Sequence, residues 1–394
     1  MKKYKVALIH NIIAPQRIPF FERLSGHPSI NLSVYFCSKT VKERKDVWDI
    51  PMSDKFNYSV LSGITLESYG VIYLIYHINP SIIPKLIKEK YDAVIIGGCS
   101  DFTTQVAFIT SKLLKTPIIL WSEGIKSSQW TGGIKSAQSL LVKVVSPLRK
   151  CITRKVDVIV VPGTMSRDFY IGEGAQPEKV FIAPDALDNE MFMQRSSKFK
   201  KQKETIKREL NIQNKKVILY VGQLIERKGV RYLIEAYNGL KKDYDDACLV
   251  ITGDGPLRNE LEGICIKEYV KDVHFTGNKS QIELPKYYSI ADLFVLPTLE
   301  DIWGLVVNEA MACGLPVIST KAAGCAVDLI IPGENGFIVD EANAAQLCSA
   351  MKKVIVDETL ARKMGNKSLE VIESRYGLEE MVNGFVSAIE YAKR

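Results

Sequence analysis

The fold follows from residues Leu296–Thr320, which read LPTLEDIWGLVVNEAMACGLPVIST. An apolar run that ends at Pro297 predicts a buried strand, and Gly304 follows it at the start of a helix. That helix is expected to reach Ala312, because Gly314 is a typical helix-ending residue and the next apolar run begins two residues later. A strand, a helix and a second strand in this order are typical of a parallel α/β sheet.

The same alternation continues along most of the chain. Two sets of short β-branched runs, separated by helical patterns, predict two parallel sheets that are covered on both faces. The first set is Lys5–His10, Leu32–Phe36, Ala93–Gly97, Pro117–Trp121, Val156–Val161 and Val180–Pro184. The second set is Val217–Gly222, Cys248–Gly253, Val273–Gly277, Leu293–Pro297, Pro316–Ser319 and Gly336–Val339.

These elements predict an α/β protein made of two Rossmann-like, doubly wound parallel-sheet domains that face a central cleft. The charged stretch Lys198–Leu210 is typical of a linker that continues into a solvated helix. We expect the first domain at residues 1–195 and the second at 196–375. Ligands of such sheets bind beyond the carboxyl ends of the strands, so the cleft is the expected site.

Composition narrows the class of protein. The chain has 394 residues and a net charge of +7, which suits an anionic ligand or a membrane surface and is too small to indicate nucleic acid. Its eight cysteines form no CxxC pair, so neither a disulfide framework nor a zinc finger is expected. No apolar run reaches the ~20 residues of a membrane span, and the N-terminal run is too short for a secretory signal. We therefore expect a cytoplasmic protein.

The residues around the first helix of the quoted stretch suggest an anion site. The backbone N–H groups of Gly304 and Leu305 at a helix N-terminus favour a bound anion such as a diphosphate. Asp301 and Glu309 stand eight residues apart, about two helical turns, so both are expected to face the cleft. Glu309 would there accept hydrogen bonds from ribose hydroxyls. Carboxylate pairs at this spacing are common by chance, so the pair alone is weak evidence.

The surroundings of this pair carry a family resemblance. The stretch from Glu309 to Val317, EAMACGLPV, resembles the nucleotide-sugar site of retaining glycosyltransferases of family 4. In that family a first Glu precedes a second by seven intervening residues, and Ala-Met-Ala-x-Gly-x-Pro-Val follows the second. Further matches in the family's order are VGQLIERKG (221–229), GDGP (253–256), FTG (275–277), LPKYYSIADLFVLP (284–297) and PGENG (332–336). The N-terminal half matches more loosely, through APQRIPFF (14–21), Val161-Pro162 and PDALD (184–188).

The resemblance implies the GT-B architecture and transfer of a sugar with retention at its anomeric carbon, without a metal. It assigns the donor diphosphate to Arg227, Lys228, Gly304 and Leu305. It assigns the nucleotide to Glu309, Gly253, Gly277 and Leu284. On the acceptor side it points to Asn11 and Arg17, and it implies that a helix at 376–394 returns to the first domain. The leaving phosphate itself would take the proton of the acceptor hydroxyl.

Three departures from the family pattern affect these assignments. Asp301 stands where the family usually has its first Glu, and Glu300 is the alternative contact for the donor sugar; we favour Asp301 because it keeps the register. Gln223 replaces an Arg that commonly follows the glycine of the diphosphate loop, and we expect Arg227 to supply the missing charge. The stretch HNII (10–13) replaces a glycine-rich turn. Glu123 is a candidate near the reacting sugar, with a carboxylate at a helix start as an equal alternative.

Two other features have competing interpretations. Residues 126–155 combine lysines and arginines with apolar residues, which suits peripheral contact with an anionic membrane. A helix that packs on the first sheet with a solvated basic face is the slightly favoured alternative. Asp243-Tyr244-Asp245 has the DxD pattern of metal-dependent transferases, but its lysine-rich surroundings favour a solvated turn.

We therefore predict a metal-independent, retaining hexosyltransferase that uses a UDP- or GDP-sugar as co-substrate and no cofactor. Its acceptor would be a glycan or lipid-linked glycan hydroxyl in cell-surface polysaccharide synthesis, and no nucleic acid is expected as a partner. One alternative is a nucleotide-sugar epimerase of similar architecture. The other is a non-catalytic GT-B subunit that partners a transferase, because Asp301 and Gln223 depart from the family pattern.

Overall fold

We describe the protein from a computed structural model, which covers residues 3–42, 53–69, 73–124 and 151–394. The chain forms two compact units. The N-terminal unit comprises the described residues up to Leu187 together with Leu378–Arg394, and the C-terminal unit comprises Asp188–Gly377.

The N-terminal unit is built on a parallel sheet. From one edge to the other, its described strands are β3 (Asn57–Val60), β2 (Ile30–Ser38), β1 (Tyr4–Ile12), β6 (Ala93–Gly97), β7 (Ile118–Trp121), β8 (Val158–Val161) and β9 (Val180–Ile182). A separate antiparallel hairpin consists of β4 (Ile64–Tyr69) and β5 (Tyr73–Ile78). Among the described residues, the α-helices of this unit are α1 (Ile18–Gly26), α2 (Ile82–Glu89), α3 (Phe102–Leu113), α4 (Thr164–Gly172) and α14 (Leu378–Ala392), and residues 151–155 are also helical.

Alternate residues of β1 divide the core of this unit into two layers. Val6 and Leu8 belong to the cluster that contains side chains of α1 and α14. Ala7 and Ile9 belong to the cluster that contains side chains of α2 and α3. Successive side chains of a strand point to opposite faces, so a strand that is apolar throughout requires helices on both sides of its sheet.

The C-terminal unit has a second parallel sheet. Its strands, again from edge to edge, are β12 (Val273–Gly277), β11 (Ala247–Thr252), β10 (Lys216–Val221), β13 (Leu293–Leu296), β14 (Val317–Thr320) and β15 (Gly336–Val339). Its helices are α5 (Asn189–Lys200), α6 (Lys203–Glu209), α7 (Val230–Lys241), α8 (Arg258–Lys267), α9 (Leu284–Ile290), α10 (Leu305–Ala312), α11 (Ala326–Leu329), α12 (Ala344–Val356) and α13 (Glu358–Arg375).

Both sheets have a doubly wound strand order. In each sheet, the first strands are added toward one edge and the later strands toward the other edge. The change of direction falls between β1 and β6 in the first sheet and between β10 and β13 in the second. Loops that leave neighbouring strands at such a point run to opposite faces of the sheet and open a crevice. The reversal therefore marks one place in each unit where a ligand is expected.

The predicted fold class is confirmed. All twelve predicted strands are present, with bounds that differ by two residues or fewer. β3 and the β4–β5 hairpin were not predicted from the sequence. In the described part of the chain, no helix combines the length and the apolar character that crossing a membrane requires.

Candidate functional site

The loops after β10 and β13 are joined at the reversal point of the C-terminal sheet. The carbonyl oxygen of Arg227 accepts hydrogen bonds from Thr298 Oγ1 at 2.9 Å and from the Leu299 N–H at 2.8 Å. A Cβ at Gly229 would overlap the carbonyl oxygen of Pro297, so only glycine lets the two backbones approach this closely. The loop that carries Arg227 and Lys228 is thus fixed against the loop that carries Asp301.

Lys228 and Asp301 form an ion pair between these loops. The Lys228 ammonium bonds Asp301 Oδ2, and both side chains are nearly buried, at 12% and 13% exposure. Burial lowers the pKa of Lys228, and the Asp301 carboxylate opposes that change. The Arg227 guanidinium bonds between the same two loops and donates to the carbonyl oxygen of Glu300 at 3.3 Å. Two cations therefore sit beside one buried carboxylate.

The backbone holds Asp301 in a defined position. Its N–H donates to the carbonyl oxygen of Ala322 at 3.0 Å, and its own carbonyl oxygen accepts from the Gly324 N–H at 2.9 Å. Three residues later Gly304 adopts φ 98° and begins α10. The first N–H groups of a helix have no intrahelical acceptor, so the Leu305 end of α10 offers donors beside the ion pair.

Glu309 lies on the second turn of α10 and is nearly buried. The Tyr288 hydroxyl donates to Glu309 Oε2 at 2.7 Å. Burial raises the pKa of Glu309 to about 7, and the hydrogen bond from Tyr288 works in the opposite direction. The carboxyl group therefore changes charge near neutral pH, unlike an exposed glutamate.

Two further nucleotide-side candidates, Gly253 and Gly277, lie at the carboxyl ends of β11 and β12, and the third, Leu284, begins α9. Gly253 follows β11 and donates its N–H to the carbonyl oxygen of Gly277 at 3.0 Å. Leu284 begins α9, the helix that also carries Tyr288. The structure thus brings Gly253 and Gly277 together at the carboxyl edge of the sheet, while Leu284 enters through the helix that supports Glu309.

A second polar cluster surrounds Arg17 in the N-terminal unit. Arg17 is buried, and its guanidinium bonds both oxygens of Asp185 and, at 3.0 Å, Glu123 Oε1. Its guanidinium carbon lies 5.2 Å from the centre of the Trp121 ring. Burial opposes the charge, but the two carboxylates outweigh it and raise the pKa of Arg17. Arg17 thus connects Glu123 to the buried Asp185.

This cluster lines a cavity of about 330 Å³ that also includes His10 and Asn11. The cavity lies where β1, β6 and β7 end, at the reversal point of the first sheet. Burial, assisted by the charge of Arg17, lowers the pKa of His10 to about 4, so the ring is neutral at pH 7. Its Nδ1 donates to the carbonyl oxygen of Ile12 at 3.0 Å. His10 therefore fills the place of the expected glycine-rich turn without adding charge.

Two residues of these clusters were not predicted from the sequence. Asp185 belongs to the PDALD stretch, and its position three residues after the end of β9 was the available signal. Tyr288 belongs to the stretch LPKYYSIADLFVLP, but no local pattern distinguishes a core tyrosine from one that bonds a carboxylate 21 residues away.

Two further expectations concern the basic segment and the DxD pattern. Of residues 126–155, those from 126 to 150 lie outside the described residues. Asp243 and Asp245 are exposed and pair with Lys352 at 2.6 Å and Lys241 at 2.8 Å, as expected for a solvated turn. Among the described residues, no three His, Cys, Asp or Glu side chains come together as a metal site would require.

The C-terminal unit matches a known family. Residues 202–371 match the family model for glycosyl transferases of group 1. The family resemblance predicted from the sequence is confirmed for this segment at the level of group 1. The matched segment contains the Lys228–Asp301 pair and Glu309.

Individual relatives match at low identity. The capsular polysaccharide biosynthesis glycosyltransferase CapM of Staphylococcus aureus is 23% identical over 407 residues, which covers 99% of this chain and 100% of CapM. Alpha-D-kanosaminyltransferase of Streptomyces kanamyceticus is 24% identical over 301 residues, covering 75% of this chain and 76% of that protein. A glycosyltransferase of Methanocaldococcus jannaschii is 31% identical over 199 residues, and the match spans only half of its length.

Solved structures match the fold over both units. The crystal structure of Anabaena Alr3699/HepE in complex with UDP has a TM-score of 0.73 and 17% identity, covering 99% of this chain and 100% of that chain. Sucrose-phosphate synthase of Thermosynechococcus elongatus has a TM-score of 0.71 and 19% identity, covering 98% of both chains. These neighbours are GT-B glycosyltransferases, and the predicted GT-B fold class is confirmed.

Proposed function

We propose that the protein is a retaining glycosyltransferase that moves a sugar from a nucleoside-diphosphate sugar to a hydroxyl of a glycan or lipid-linked acceptor. The observation that carries the proposal is the joined pair of loops at the reversal point of the C-terminal sheet. There, two cations and the free N–H groups of α10 lie beside Asp301, and Glu309 follows on the same helix.

In this proposal the donor diphosphate binds Lys228, Arg227 and the N–H groups of Gly304 and Leu305. Breaking the bond to the sugar leaves negative charge on the diphosphate, and fixed cations and amides stabilise that charge as it develops. The same groups would supply the positive charge that a metal supplies elsewhere, so we propose that the reaction needs no metal. A phosphate oxygen of the leaving group takes the proton of the acceptor hydroxyl.

Asp301 and Glu309 have separate roles in the proposal. Asp301 exchanges its bond with Lys228 for contact with the donor sugar when the diphosphate engages the lysine. Glu309 accepts hydrogen bonds from the ribose hydroxyls, while the turns at Gly253 and Gly277 and the side chain of Leu284 border the base. The UDP complex of Anabaena HepE, whose fold matches, supports UDP as the first nucleotide to test.

The N-terminal cavity is the proposed acceptor site. Asn11 borders it directly, and Arg17, which is itself held by the buried carboxylate of Asp185, donates to Glu123. Because Asp185 and Glu123 already compensate its charge, Arg17 would act by holding Glu123. The name of CapM, a glycosyltransferase of capsular polysaccharide biosynthesis, supports a growing polysaccharide as the acceptor class.

Calorimetric titration with UDP-, GDP- and ADP-sugars tests the donor assignment. We expect one donor to bind the wild type, Glu309→Ala to lose at least tenfold in affinity, and the exposed control Glu235→Ala of α7 to bind as the wild type does. Absence of binding across the panel would contradict the donor site and leave the non-catalytic subunit as the alternative. With a donor identified, an NMR spectrum of the product shows whether the anomeric configuration is retained.

A further inference from the structure

Tyr288 is a buried residue whose only polar side-chain atom faces the proposed nucleotide site. It is fully buried on α9, with its ring between Phe192 of α5 and Phe294 of β13 at centroid distances of 6.2 and 5.9 Å. Its hydroxyl lies 2.7 Å from Glu309 Oε2 and 3.4 Å from the carbonyl oxygen of Val306. A hydroxyl has one proton, and the shorter contact indicates that Glu309 receives it.

The two carboxylate oxygens of Glu309 consequently differ. Oε2 accepts from Tyr288, while Oε1 accepts no hydrogen bond from the described residues. We infer that Tyr288 is a positioning residue that holds one carboxylate oxygen of Glu309 and turns the second oxygen toward a hydroxyl-bearing ligand. That this ligand is a nucleotide ribose rests on the proposed function, whereas the hydrogen bond from Tyr288 to Glu309 does not.

The charge state of Glu309 depends on few groups. Burial raises its pKa from 4.5 to about 7, and Tyr288 is the group that opposes this rise. Cys313, one turn further along, is a neutral thiol because burial raises its pKa to about 12. Lys200 of α5 reaches the carbonyl oxygen of Cys313 at 2.9 Å, and α13 meets this end of α10 through Gly365 and Leu369. The Lys228–Asp301 pair lies at the other end of the helix.

Removing the Tyr288 hydroxyl should therefore raise the pKa of Glu309 further. A group whose pKa is raised on folding stabilises the protein fully below its unfolded pKa, and that contribution is lost as the pH rises through the folded pKa. In the wild type the loss should run from about pH 4.5 to about pH 7. In Tyr288→Phe its upper end should move up by about one pH unit, because a hydrogen bond to a charged group is lost.

The first test needs no nucleotide. Denaturant unfolding is measured from pH 4 to pH 9 for the wild type and Tyr288→Phe, each against the same protein with Glu309→Gln as reference. Tyr287→Phe is the matched control, because Tyr287 is the neighbouring tyrosine of α9 and its ring lies beside Lys279. The stability difference is the free energy of unfolding of each protein minus that of its Glu309→Gln reference. We expect this difference to extend to higher pH in Tyr288→Phe and to be unchanged in Tyr287→Phe. If the stability difference is lost over the same pH range in the wild type, Tyr288→Phe and Tyr287→Phe, the inference is overturned.

The second test uses UDP. Affinity should fall as the pH drops below the pKa of Glu309, and Tyr288→Phe should move the midpoint of that fall upward by about one pH unit. A uniform loss of affinity at every pH indicates damage to the fold and overturns the positioning role. If the unfolding experiment shows the shift while the wild type binds none of the nucleotides, Tyr288 positions Glu309 as inferred and the proposed function is wrong.

Discussion

At the scale of single residues, the Lys228–Asp301 pair is an ion pair largely removed from water. Both side chains are nearly buried, and Asp301 is the main charged neighbour of Lys228. Separating such a pair is costly because the remaining ion has lost its water and gains no partner. The pair therefore compensates both buried charges with the same groups that are proposed to act on the substrate.

We expect Lys228→Met to destabilise the C-terminal unit by about 3 kcal/mol, because it removes the ion-pair partner of the nearly buried Asp301 carboxylate. Adding Asp301→Asn should recover part of that loss, since the amide carries no charge. Denaturant unfolding of both variants measures the effect. Lys352→Met, which breaks an exposed pair with Asp243, is the control and should leave the unfolding midpoint unchanged. If the effects of Lys228→Met and Asp301→Asn on the free energy of unfolding simply add in the double variant, the two charges do not interact.

At the scale of elements, the start of α10 depends on the backbone of Gly304. This residue has φ 98°, which side chains rarely adopt, and a Cβ would lie 3.1 Å from Leu296 Cδ2. The turn at Gly304, three residues after Asp301, sets the direction of the first N–H groups of the helix. A change at Gly304 thus alters the direction of the helix start as well as its stability.

Gly304→Ala should cost about 1 to 2 kcal/mol and weaken nucleotide binding, because the strained turn must relax. Gly263→Ala is the matched control: Gly263 lies inside α8 with open space around it, so alanine should stabilise by about 0.5 to 1 kcal/mol. Unfolding and UDP titration of both variants measure these effects. Equal responses of the two variants would mean that the backbone at Gly304 has no special role.

The elements also indicate what sequence could and could not predict. All strands of the two sheets except β3 were found, and most of those found are buried and form continuous apolar runs, whereas β3 is partly exposed. The β4–β5 hairpin was missed because apolar runs outside the two sheets were compared only with the length of a membrane span. In the site, local motifs located Lys228, Asp301 and Glu309. Asp185 and Tyr288 were missed because their roles depend on partners distant in sequence, which only the folded chain reveals.

At the scale of the whole molecule, the chain returns to its first unit at its end. Helix α14 belongs to the N-terminal unit, and its apolar face lies in the core that contains α1. Phe385 is fully buried there, with ring centroids 4.8 Å from Phe20 and 5.1 Å from Trp121. The core around Trp121, which borders the N-terminal cavity, is therefore completed by the last helix.

Phe385→Ala should destabilise the N-terminal unit by about 3 to 5 kcal/mol, because it removes a buried ring between two others. Glu390→Ala, an exposed position of the same helix, should change stability by no more than about 0.5 kcal/mol. Calorimetric unfolding of the full chain should show one transition lowered in Phe385→Ala and the other unchanged. A shift of both transitions would indicate that the two units unfold as one.

The late return of α14 has a consequence for biosynthesis. A ribosome makes the chain from its N-terminus, and the domain made first usually folds first. Here the first unit lacks Phe385 and its neighbours until residues 378–394 have emerged, whereas the second is complete at Gly377. The later-made half should reach its native state before the earlier-made half does. Nascent chains that stall before α14 would present an open aromatic core, which is the surface that chaperones and proteases recognise.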